Sequence, residues 1–448
     1  MSEPAIDPPN AARVRRTWTA VVVLVGLVAA ACGGPSTANT ASAPGITPTN
    51  VLIGSDQPLT GPVAVGYSEI APASRAFFDY VNARGGVNGR TITYTYLDDA
   101  YNATDSAGAV PDAQQLVSTD HVFAYFNGFG LLTHAGIVDS LNSQGVPDLF
   151  VGSSCDCWNE PVQHPQTFGF GTNYTLEGRL IGSYVARTFP GARVAYLWEN
   201  DAVGCCRDAV AQMDSQIPSS QVVARRSFTA ADEQPPIILL PQLQAARAAD
   251  AQVLVVDTLS PQAIAEVLID GAGLGYHPTV IDPFPLAADP AIVGPLITQF
   301  SRGRLSPTIE NGLITQAHLP SVGDSANPWI TLFRKAHDQY EQAEPFDNMA
   351  VYGMAAAAVF VQALRQAGQN PTRSSIVSAI NHGAVKAGDP GLVSLDYSAR
   401  NHDGYPGAQI GTIQDGSLVL SGPAFLAGPG GAVTAHPIER SAPPSGLA

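Results

Sequence analysis

The 448-residue sequence predicts an α/β protein built as two doubly wound lobes with a ligand cleft between them. Three observations lead there. Strand-like and helix-like segments alternate, which implies parallel sheets joined by right-handed crossovers. The alternation runs twice, and the roughly 400 residues beyond the N-terminal segment exceed one ordinary core. Polar and aromatic loops gather after the strands, at the carboxyl ends where such sheets bind ligands.

The elements follow in order. "NVLIGS" reads as the first strand, and "EIAPASRAFFDYVNARGG" as a helix. Ala73, Phe77, Tyr80 and Val81 recur at helical spacing, with Gly85–Gly86 as the stop. "RTITYTYLDD" alternates like a strand, and "VPDAQQLVSTD" is a helix with Pro111 near its start, where proline is tolerated. "HVFAYFNG" and "VPDLFVG" are strands on either side of a helix around "HAGIVDSLNSQG". The second series opens with "TLEGRLIGSYVARTF", whose Leu176, Leu180, Ile181 and Tyr184 share a face. Its strands are "RVAYLWEN", "QVLVVDT" and "PTVID", and its helices lie around "CRDAVAQMDSQ" and "QAIAEVLIDGAG".

The N-terminus points outside the cytoplasm. Arg13, Arg15 and Arg16 precede an apolar run from Ala20 to Ala31, then Cys32. That is the pattern of an export signal, and the run is shorter than the about 20 apolar residues of a spanning helix. Ala29, Ala30 and Ala31 resemble a lipobox, although leucine is usual where Ala29 stands. Residues 1–32 are therefore expected to be a lipoprotein signal peptide ending at a lipidated Cys32. The alternative is an ordinary secretory signal. Residues 33–47, rich in Gly, Ser, Thr, Pro and Ala, read as a flexible tether to the cell membrane.

Composition excludes several functions. Lys and Arg number 22 against 38 Asp and Glu, a net charge of −16, which repels nucleic acid. The sequence has no G-x-S-x-G elbow, H-E-x-x-H or P-loop, so neither an enzyme nor a cofactor or metal site is expected. Asp98 and Asp99 read as structural and solvated. Asp56 reads as an acceptor of backbone hydrogen bonds in the "PLTG" turn, with ligand contact as its alternative. His134 and His164 read as surface or loop residues.

"LIGSDQPLTGPVAVGY", "AFFDYVNARGGVNGRTITYTYLDD", "LVSTDHVFAYFNG" and "GVPDLFVGSS" together resemble the type I periplasmic binding proteins of the leucine/isoleucine/valine-binding family. The similarity runs from Asn50 to about Pro423 and is densest up to Ser154. It implies two Rossmann-like lobes joined by three crossings, with lobe 1 at 48–171 and 286–390 and lobe 2 at 172–285 and 391–425. Residues 426–448 have loop composition and are expected to be disordered. The resemblance also implies an extracytoplasmic, monomeric receptor that closes on a small molecule and delivers it to an ABC permease. The alternative is a sensor of the same fold coupled to a signalling partner.

The ligand set departs from the family pattern. Relatives grip a ligand carboxylate with a serine and backbone N–H groups where this chain has Gly130, Leu131 and Leu132. Ser154, beside Ser153, matches a second hydroxyl of those relatives. Gln262 stands where a carboxylate commonly pairs with the ligand ammonium, and Val203 where a tyrosine is common; Glu199 or Asp201 is the substitute carboxylate. Tyr67, Phe129, Leu131, Trp158 and Trp198 would make the walls apolar, which suits an aromatic or hydrophobic solute rather than a branched-chain amino acid. The alternative for Phe129, Trp158 and Trp198 is core packing, and for Leu132 the start of the next helix.

Four cysteines stand in two of these loops, Cys155 and Cys157 in one and Cys205 and Cys206 in the other. Outside the cytoplasm they are expected to be oxidised. The leading expectation is a bridge between the loops, closing about 50 residues for roughly 4 kcal/mol. A vicinal Cys205–Cys206 bridge is second and a soft-metal site third; local bridges would be strained.

Overall fold

The computed structural model describes residues 38–61, 64–101, 107–200, 205–229, 239–386 and 388–447. The first sheet holds β1 (Asn50–Gln57), β2 (Thr91–Asp98), β3 (Tyr125–Phe126), β4 (Asp148–Val151) and β5 (Thr167–Gly169). All are parallel, in the order β2-β1-β3-β4-β5. The second sheet holds β6 (Val194–Glu199), β7 (Val222–Phe228), β8 (Val253–Asp257), β9 (Thr279–Ile281), β10 (Ile314–Ala317), β11 (Gly407–Gln414), β12 (Ser417–Ala427) and β13 (Val433–His436). Its order is β13-β12-β11-β10-β9-β8-β6-β7. It is parallel from β7 to β10 and antiparallel from β10 to β13. The expected two-lobed α/β architecture is thus present.

Sequence chemistry sets the helices that flank the cleft. Asn173 accepts the Leu176 N–H at 2.8 Å and starts the helix Tyr174–Thr188. Ser260 caps the helix Pro261–Leu274, proline follows at its first turn, and left-handed Gly275 ends it. The helix Asn348–Gln366 is buried almost throughout and lies across Ile70–Asn82, with the Ser74 hydroxyl donating to the Gly353 carbonyl at 2.8 Å. Gly353 is required there, because a Cβ would collide with the Ile70 carbonyl. Rings of Phe77, Phe78, Phe126, Phe333 and Phe360 interlock edge to face in the same layer.

Several expectations are corrected. β10 pairs with β9 and β11, so the stretch from Leu286 to Ala317 runs with the second lobe and the return crossing falls after β10 rather than at 286. The tail is ordered. β13 pairs with β12, after which the Glu439 N–H reaches the Leu392 carbonyl at 2.8 Å and Ser441 the Asp389 carbonyl at 2.6 Å. Arg365 then holds the Gly446 carbonyl at 2.9 Å, and Leu447 is buried. Backbone pairing and these anchors override a composition that reads as loop.

His134 is wholly buried, its Nε2 2.9 Å from Asp148 Oδ2, which also accepts the Thr167 hydroxyl at 2.8 Å. His164 is buried as well, 2.8 Å from Asp139. Asp98, not Asp56, holds the "PLTG" turn, accepting Leu59 and Thr60 N–H at 3.0 Å and the Thr60 hydroxyl at 2.6 Å. Asp56 is buried and accepts the Tyr125 hydroxyl at 2.6 Å.

Candidate functional site

Strand carboxyl ends of the two sheets meet at a common boundary. On the first-lobe side Tyr67 is buried, its ring 4.8 Å from that of Phe129, which in turn lies 6.2 Å from Tyr101. Phe129 bridges to Gly152, placing the "NGFG" loop beside the end of β4. Gly130 has φ +114°, and a Cβ there would strike the Tyr101 ring. Leu131 is buried just before the short helix Leu132–Ala135, so Leu132 begins that helix.

Side chains from the other lobe meet this wall. The Tyr67 hydroxyl donates to the Leu259 carbonyl at 3.0 Å across the boundary. Burial, and then the charge of Asp282, push that hydroxyl well above its ordinary pKa, so it remains a donor. The Ser154 carbonyl accepts the Tyr174 N–H at 2.8 Å, and the Ser154 hydroxyl hydrogen-bonds Glu177. Glu199, at the end of β6, accepts from the Thr258 hydroxyl at 3.4 Å and the Leu259 N–H at 3.3 Å. Tyr174 and Phe284 are 6.5 Å apart, ring to ring.

Of the expected site residues, Tyr67, Phe129, Gly130, Leu131, Ser153, Ser154 and Glu199 come to this boundary. Ser153 Oγ is buried without a partner among the described residues. Gln262 is half-buried in the first turn of its helix, its Oε1 accepting the Ser260 hydroxyl at 3.3 Å. Trp158 does not join them: its ring stands edge-on to His134 at 5.0 Å and against Gly169, inside the first lobe. Trp198 is partly buried within β6 and packs on the second-lobe core. Asp201, Val203, Cys32 and the Cys205 side chain lie outside the described residues.

The disulfide expectation is also corrected. Cys155 and Cys157 are bonded to each other, with Cα atoms 5.1 Å apart. The turn Asp156–Trp158 folds the loop enough to bring that spacing within the about 4.4–6.8 Å a bridge prefers. Both sulfurs are consumed locally, so no staple runs from this loop to the other lobe. Cys206 is buried, and the vicinal alternative falls on the Cys205 side chain.

Sequence reasoning missed a group of second-lobe acids. Glu177, Asp257 and Asp282 are all buried, the last two at the tips of β8 and β9. Burial and then mutual repulsion raise the carboxyls of Glu177 and Asp282 well above their ordinary range. A signal was present, because Glu177 sits four residues before Ile181 and shares its apolar face. Among the described residues, no group of three or more His, Cys, Asp or Glu is placed to hold a metal ion. No described helix is long and apolar enough to cross a membrane.

The sequence profile described as "Periplasmic binding protein" matches residues 50–417. The chain belongs to the periplasmic binding protein family. Solved structures agree on the fold. This periplasmic binding protein is similar to a substrate-binding periplasmic protein from Ralstonia solanacearum, at 20% identity and TM-score 0.69 over 83% of this chain and 99% of that one. A fatty acid ABC transporter substrate-binding protein from Thermomonospora curvata matches at 18% identity and TM-score 0.70, over 86% of this chain and 94% of that one. A branched-chain amino acid ABC transporter from Thermus thermophilus with bound valine matches at 18% identity and TM-score 0.68, over 84% and 97% of the two chains. No curated protein matches. Membership makes this an extracytoplasmic binding protein of the type I fold.

Proposed function

We propose that the chain is a solute receptor, held at the membrane by a lipid on Cys32, that captures a small organic molecule between its lobes and hands it to an ABC permease. The observation that carries the reading is the Tyr67–Leu259 hydrogen bond of 3.0 Å, which joins the lobes beside Phe129, Ser154 and Glu199. A guest enclosed there touches both halves, so its binding energy favours the closed arrangement over the open one. The walls of Tyr67, Tyr101, Phe129, Tyr174 and Phe284 suit an aromatic or otherwise apolar body, and binding without turnover is the expected activity. Mass spectrometry of any co-purifying molecule, followed by calorimetric titration and solution scattering, tests this. The expected result is one saturable site whose occupancy contracts the protein; a panel of metabolites that neither binds nor contracts it would overturn the assignment.

A further inference from the structure

One face of the second sheet is aliphatic for most of its length. Val253 and Val255 of β8, Ile281 of β9, Ile314 of β10 and Ile410 of β11 pack there with Ile181 and Val185 of the covering helix. Strand register sets Val255 beside Ile281, and Ile281 beside Ile314. Side chains alternate along a strand, so the next residues on this face, one step nearer the cleft, are Asp257 and Gln316. The covering helix adds Glu177 from the same stripe as Ile181. Asp282, just past the end of β9, joins this group not by strand alternation but by proximity, since its charge and that of Asp257 act on Glu177. The aliphatic row therefore ends at the lobe boundary in carboxylates and an amide.

These groups are withdrawn from solvent: Glu177 is 2% exposed, Asp282 0% and Gln316 1%. Neither the amide nitrogen nor the amide oxygen of Gln316 has a partner among the described residues, and the same holds for Oδ2 of Asp282. The charges felt by Glu177 and Asp282 are those of other carboxylates, Asp257 foremost. His318, beside Gly171 as Ser154 is, has its pKa driven down to about 3 by burial and is neutral. Among the described residues no Lys or Arg is ion-paired with these acids, and buried acceptors so placed complement a guest that brings its own positive charge and N–H donors.

We propose that this cleft is built for an organic cation: an apolar body carrying a protonated amine or guanidinium and no carboxylate. The inference rests on the receptor reading and narrows it, since a ligand carboxylate here would face Glu177, Asp257 and Asp282. Gln316 supplies the amide that orients the polar head.

The test uses three probes with the same phenyl ring: phenethylamine, phenylalanine and 3-phenylpropanoate, with agmatine and calcium chloride alongside. Calorimetry of the purified protein should show an amine or agmatine binding at least about tenfold tighter than either carboxylated probe. Binding should release protons, read from titrations in buffers of different ionisation heat, because a cation lowers the pKa of the carboxyls it meets. Asp257→Asn should weaken the cation by about 30-fold or more. Gln316→Leu should weaken it too without lowering the melting temperature, which separates a binding role from a folding one. Tighter binding of phenylalanine, phenylpropanoate or calcium would overturn the cation inference and leave the receptor intact. If nothing in this panel or a broad metabolite library binds, both fall.

Discussion

Tyr67 reaches across the lobe boundary through its hydroxyl, and removing that hydroxyl is a clean experiment. Tyr67→Phe keeps the ring against Phe129 and deletes only the bond to Leu259. A net loss of about 0.5–1.5 kcal/mol corresponds to ligand affinity weaker by about 2–12-fold, seen in stopped-flow traces mostly as faster dissociation. The buried His134–Asp148 pair carries a larger stake, because truncating one partner strands the other away from water. His134→Leu should destabilise the first lobe by about 3–5 kcal/mol, measured as a shift in the urea midpoint. At this scale the sequence was uneven as a guide. Phe129, Ser154 and Glu199 were legible from their places after strands, whereas His134 read as surface because a lone histidine carries no sign of its distant aspartate. Glu177 was passed over because one acid in an amphipathic helix looks like solvent-facing charge until its phase against Ile181 is checked.

Close packing decides the behaviour of whole elements. Alanine has the higher helix propensity, so Gly353→Ala would stabilise an isolated helix by about 1 kcal/mol. Here the new Cβ meets the Ile70 carbonyl, and forcing the two helices apart costs about 1–3 kcal/mol. The packing cost outweighs propensity, so thermal unfolding of Gly353→Ala should come at a lower temperature than that of the parent chain. A rise would show that the helices separate freely. The parallel strands β1, β4, β6 and β8 were readable because burial on both faces leaves continuous apolar runs. β7 was not: it is an edge strand carrying exposed Arg225 and Arg226, held by pairing with β6 rather than by a core face. β12 and β13 escaped for a similar reason, because few of their side chains are fully buried and the ladder does most to define them.

Across the whole molecule, excess acid is the dominant electrostatic fact. Asp403 is half-buried against Asn159 and Asn173, which donate to its Oδ2 at 2.7 and 2.8 Å. Burial, followed by the charge of Asp156, raises its pKa from 3.8 to about 7, and burial followed by Asp347 takes Asp289 to about 7. Between those values the fold retains protons that the unfolded chain has released, so stability is greatest below the window and declines as pH rises through it. The melting temperature should therefore climb as pH is lowered from about 8 to about 5, and Asp403→Asn should flatten that slope; a steady fall on acidification would contradict it. Fold class was the most legible property at this scale, since alternation and length are global. The position of the return crossing was not, because β10 joins the second sheet by pairing that its four residues do not advertise.

The C-terminal stretch adds mechanics to this picture. It leaves β13 in one half and is pinned at Ser441 and Gly446 to Asp389 and Arg365 in the other, so it spans the two halves like a cord across a door. Anchored at both ends, such a cord is expected to limit how far the two halves can part. Cutting the chain after His436 should broaden the distance distribution between spin labels, one per half, and an unchanged distribution would show that the cord is slack.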